Sequence, residues 1–158
     1  MSPEELNNTI EDFLELIYEG AGAVPENERK LRIFIDKIAL AASETDVSFD
    51  DADYLGGTSH DQEKLRQLIC RRFPNYGYYN IPSSITGGIA AAKIDVGDAI
   101  DDLLDITTEL QAIAHLWYEE GDEKALRSFA AAYRFHLGDH LRELQLYLHA
   151  LTREESGF

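Results

Sequence analysis

Apolar residues in this chain recur at intervals of three and four, the spacing that gathers them on one face of a helix. Leu6, Ile10, Phe13, Leu14 and Ile17 form the first such stripe, and Glu11, Asp12, Glu15 and Glu19 fall away from it. Ser2 can cap this helix, Pro3 suits its first turn, Glu5 completes a capping box, and Gly20-Ala21-Gly22 ends it. Pro25-Glu26-Asn27-Glu28 opens a second helix whose inward face is Leu31, Phe34, Ile35, Ile38 and Ala42. An acidic connection over 47–58, with room for a helical turn, leads to Ser59-His60-Asp61-Gln62, another capping signature. The third helix turns Leu65, Leu68, Ile69 and Phe73 inward, carries Arg71 and Arg72 at its dipole's negative end, and stops at Pro74. An uncharged stretch over 73–92, rich in Tyr, Gly and Pro, reads as a loop.

A fourth helix is predicted from about residue 94 to 120, ending at Gly121. A fifth follows from the Asp122 cap to about 152, with Leu126, Phe129, Tyr133, Leu137, Leu144, Leu148 and Leu151 inward. So short a link makes these two an antiparallel hairpin. The pattern predicts an all-α fold: one helical bundle over 1–158 with about five main helices, a loop over about 74–92, and a frayed tail over about 153–158.

Charge narrows the function classes. Fourteen Lys and Arg against thirty Asp and Glu give a net −16. Nucleic acid and anionic membrane both need a basic footprint that is missing here. A basic protein partner or a cation would be attracted. Cys70 is the lone cysteine, which fits a reducing, cytoplasmic setting and reads as a buried structural thiol. Met-Ser-Pro-Glu-Glu-Leu at the start carries no signal-peptide pattern.

Candidate chemistry concentrates in the last two helices. In the fourth, about 100° per residue groups Asp98, Asp102, Asp105 and Glu109 on one face, with Asp95 nearby and Ala99, Ile100, Leu103, Ile106 and Leu110 on another. In the fifth, His140 falls inside the apolar stripe between Leu137 and Leu144. His136 and Glu143 lie at the edge, near Tyr133 and Tyr147. A buried imidazole without partners costs about 1–3 kcal/mol, and the facing aspartates are the obvious partners. The candidate polar site is therefore His136, His140, Asp98, Asp102, Asp105 and Tyr133. Three readings compete for it. One is a structural hydrogen-bond network around His140. Another is a divalent-metal site using His136 and His140, which sit one above the other at i and i+4, with Asp98 and Asp102. The third makes His140 a general base oriented by a carboxylate. Comparison with all-helical nucleotide pyrophosphatases is poor, because one helix holds every aspartate and no second acidic pair faces it.

Asp101-Asp102-Leu103-Leu104-Asp105-Ile106 followed by Phe135-His136-Leu137-Gly138-Asp139-His140 resembles an uncharacterised bacterial domain-of-unknown-function family, the one numbered five thousand and sixty-three. Leu137 and Thr107 stand where that family's tryptophan and tyrosine would be expected. The resemblance implies a helical, cytoplasmic bacterial protein and supplies no activity. Two functions are carried forward. The first is a non-enzymatic acidic interaction or regulatory protein without a cofactor, contacting an unknown, basic protein partner through Tyr76, Tyr78 and Tyr79, with a homodimer as a further arrangement. The alternative is a metal-dependent hydrolase or metal-binding module with a divalent metal at His136, His140, Asp98 and Asp102.

Overall fold

The structure is a computed structural model that describes residues 1–57, 61–155 and 157; the expected helix start at Ser59 and His60 lies outside these. It is the helical bundle the periodicity predicts. Helix α1 (Pro3–Tyr18) opens with its capping box formed: the Ser2 hydroxyl accepts from the Glu5 N–H and the Glu5 carboxylate accepts from the Ser2 N–H. It buries Leu6, Ile10, Phe13, Leu16 and Ile17 against α2 (Val24–Glu44), which contributes Leu31, Ile35 and Ile38. The acidic connection makes a single 3-10 turn at Asp51–Asp53. Asp53 is buried there beneath Lys124 and Arg127. The Asp50 backbone N–H and these two cations hold the Asp53 carboxyl down to about 2.

Helix α3 (Gln62–Arg72), capped by Asp61, packs Leu65 and Ile69 inward, with Phe73 buried just past its end. Cys70 is exposed, against the expectation of a buried thiol: one residue past Ile69, it stands about 100° around the helix from the buried stripe. The long α4 (Ala99–Glu120) is the central rod, touching α1, α3 and the last helices. The fifth predicted helix is interrupted. It runs as α5 (Asp122–Ala132), one π turn over Tyr133–Leu137, and α6 (Gly138–Glu155). Gly121, with φ +86°, precedes it, and Asp122, expected as its cap, is its first residue. No helix among the described residues is long and apolar enough to cross a membrane.

The start of α4 is the main correction. Residues Ile94–Asp98, expected as its first turns, form strand β2, paired antiparallel with β1 (Tyr78–Pro82) in what the sequence presents as loop. The register sets Tyr78 opposite Asp98, Asn80 opposite Val96 and Pro82 opposite Ile94. Helical periodicity continues through 94–98, but those residues meet a partner strand outside any local window, and pairing overrides the local pattern. Gly97 makes the close fit. A Cβ there would come within 2.6 Å of the Tyr79 ring and of Ile81, which cross it. The sequence is thus bent into a small ribbon that ends where Asp98 caps α4, its carboxylate accepting from the Ile100 N–H at 3.0 Å.

Candidate metal centre

Asp102, Asp105 and Glu109 are spaced so that all three face the π turn and the start of α6. Two of them are buried: Asp102 and Glu109 are each only 4% exposed, unusual for carboxylates. Each is paired with an imidazole, and Glu109 Oε2 stays buried without a hydrogen bond among the described residues. The His140 Nδ1–H donates to Asp102 Oδ1 at 2.8 Å, and the His136 Nδ1–H donates to Glu109 Oε1 at 2.6 Å. Two tyrosines complete the shell. The Tyr79 hydroxyl donates to Asp102 Oδ2 at 2.5 Å, and the Tyr54 hydroxyl to Glu109 Oε1 at 3.1 Å. Burial and the adjoining carboxylates push both phenols up, Tyr54 to about 12, so they stay protonated donors. Burial also raises Glu109, against the opposing pull of His136 and Tyr54. The hydrogen bond to Asp102 raises His140, outweighing the burial that would lower it.

These outer contacts fix the inner geometry. With both Nδ1–H groups committed to carboxylates, the neutral rings turn their Nε2 lone pairs toward each other, 3.1 Å apart. Two bare lone pairs at that distance repel. An Nε2–H on either ring, or a metal ion between the two, removes that repulsion. Asp105 adds a third donor, its Oδ2 lying 3.4 Å from His140 Nε2. Donors bound to one ion at about 2.0–2.1 Å in a tetrahedron lie roughly 3.3 Å apart, close to the 3.1 and 3.4 Å edges at His140 Nε2, and all three donors lie within 4.8 Å of one another. Carboxylate–histidine pairs behind the ligands are the usual support of such centres. His140 is one-fifth exposed, whereas His136 and Asp105 are about two-fifths exposed, so the cluster opens to solvent on one side.

The π turn supplies the alignment. The Gly138 N–H reaches back to the Tyr133 carbonyl, and a Cβ on Gly138 would sit 2.4 Å from that oxygen. Only glycine allows the wide turn to close there, and such turns gather at functional sites.

The structure sorts the six expected site residues. His136, His140 and Asp105 converge; Asp102 stands directly behind His140. Asp98 is elsewhere, capping α4 and paired with Arg66 at 2.8 Å, because the ribbon takes the turn that would have placed it beside His140. Tyr133 faces away, its hydroxyl accepting from the Arg142 Nε–H at 3.0 Å. Glu109, Tyr54 and Tyr79 belong to the site and were not among the expected residues. Glu109 shared the acidic face and carried that signal; the tyrosines reach in from distant segments and carried none. Of the expected contact tyrosines, Tyr76 is buried against Phe73, Tyr79 is turned inward, and Tyr78 is exposed. Comparison with family models, with curated proteins and with solved structures yields no match.

Proposed function

We propose that this chain is a divalent-metal protein whose ion is held by His136, His140 and Asp105, with an open position suited to metal-assisted hydrolysis. One observation carries this reading: two imidazoles, each anchored at Nδ1 by a buried carboxylate, aim their Nε2 atoms at one point beside a third donor. Two imidazoles with one carboxylate favour zinc or a neighbouring transition ion over magnesium or calcium, which prefer oxygen. Three protein ligands with a vacancy are the pattern of catalytic rather than structural zinc, where bound water is acidified to near neutrality. Asp102 and Glu109 orient the rings and raise their basicity.

The test is zinc titration of the metal-stripped protein followed by thermal unfolding. Zinc at a hundred times its Kd should add about 2.7 kcal/mol, a rise of roughly 5–10 °C for a domain of this size. His140→Ala should abolish the rise. A flat titration would refute the metal reading and return the chain to the interaction reading, which the exposed Tyr78, Ile94 and Val96 of the ribbon favour.

A further inference from the structure

The side chains around the centre carry one sign of charge, and the inference drawn from this rests on the metal reading above. Asp105 contributes to the ligand set and Asp102 and Glu109 stand behind the imidazoles. Glu143, one helical turn past His140 on α6, adds a negative field at that ring, with Asp139 beside it. The nearest cations are engaged elsewhere. Arg66 is clasped by Asp98 and Asp101, Arg142 turns to Tyr133, Gln145 and Ser43, and Lys124 and Arg127 cover Asp53. Arg134 lies about half a turn around the rod from His136. An ion of charge +2 is therefore outweighed by the carboxylates around it. An aromatic cluster lies behind His136, on the Nδ1 side of its ring. Phe135, next to His136 and partly exposed, packs on Tyr54 at 5.8 Å and Phe49 at 6.1 Å, and Tyr54 shares Glu109 with His136.

A phosphoester or carboxylate substrate needs cationic partners that this surface does not offer among the described residues. We propose that the open side serves a substrate with a neutral metal-binding carbonyl and a positively charged arm, an amine or guanidinium, which Glu143 and Asp139 receive.

The experiment loads the full chain with cobalt(II) and follows its visible absorption during titration with two hydroxamates sharing one metal-binding group. One is lysine hydroxamate, with a cationic arm; the other is succinic acid monohydroxamate, with an anionic arm. At low ionic strength the cationic probe should bind about tenfold more tightly, a preference that salt compresses. Glu143→Gln should narrow the preference, and Asp139→Asn provides the same reading should the first variant fold poorly. Equal affinities, or tighter binding of the anionic probe, would overturn this inference while leaving the metal centre intact. Absence of any cobalt spectrum would overturn both.

Discussion

Asp102→Asn separates the electrostatic role of this side chain from its shape. The side chain is 6% exposed and accepts two hydrogen bonds, from the His140 Nδ1–H and the Tyr79 hydroxyl. Asparagine fills the same space. Its amide oxygen can still accept from His140, and its NH2 can donate to the Tyr79 oxygen once that hydroxyl rotates. The Tyr79 hydroxyl proton loses its carboxylate acceptor in this exchange, so folding should weaken by ~1–3 kcal/mol, the cost of a part-buried donor left without its partner. Zinc affinity should fall more plainly, by ~10–100-fold, because the carboxylate no longer polarises the ligand imidazole. The pH dependence has a defined sign. His140 in the folded, metal-free protein titrates above its unfolded value, chiefly through Asp102. That pairing contributes stability that is fully present below about 6.5 and is lost as pH rises through the higher folded value. The wild type should therefore exceed the variant most below about pH 6.5, with the gap closing as pH rises through the higher folded value. Urea unfolding of both metal-free proteins across this range, with zinc affinity from chelator competition, reads both quantities. An unchanged zinc affinity in a well-folded variant, or a gap that widens with rising pH, would refute the reasoning.

Gly138→Ala should cost ~1–3 kcal/mol, because its Cβ would meet the Tyr133 carbonyl at 2.4 Å; zinc binding should weaken with it, and an unchanged Tm would show that the π turn tolerates a side chain. Asp98→Ala and Asp105→Ala should have opposite signatures. The first loses a helix cap, ~1 kcal/mol of stability, with zinc affinity kept. The second barely changes the metal-free fold but lowers zinc affinity more than tenfold, and calorimetric titration showing the reverse would move the ligand set back toward Asp98.

Much of this site can be read from periodicity, and its limits are physical. Asp102, Asp105 and Glu109 share a face by angle alone, and His140 stands out as an imidazole inside an apolar stripe. Angle cannot say which carboxylate ligates and which supports, since that depends on burial set by the facing rod. The ribbon is invisible because Ile94–Asp98 continues the helical rhythm while its partner lies in a tyrosine-rich stretch without alternation. The π turn is one residue of extra winding, and a lone Gly138 in a leucine-rich helix does not announce it. Tyr79 reaches Asp102 only because Gly97 lets its ring pass, a condition that appears in three dimensions alone.

The two carboxylate–imidazole pairs also act on how the chain assembles. Asp102 meets His140 and Glu109 meets His136, an order that running the rods in opposite directions satisfies in a single alignment. Leucine stripes alone are forgiving: α4 could slide a turn along the rod and still bury Leu103, Ile106 and Leu110 against leucines. A one-turn slip would instead press the two buried carboxylates against hydrocarbon, at ~1–3 kcal/mol each. The site thereby works as a key between the rods, selecting one sliding position from several of similar greasiness, whether or not an ion binds.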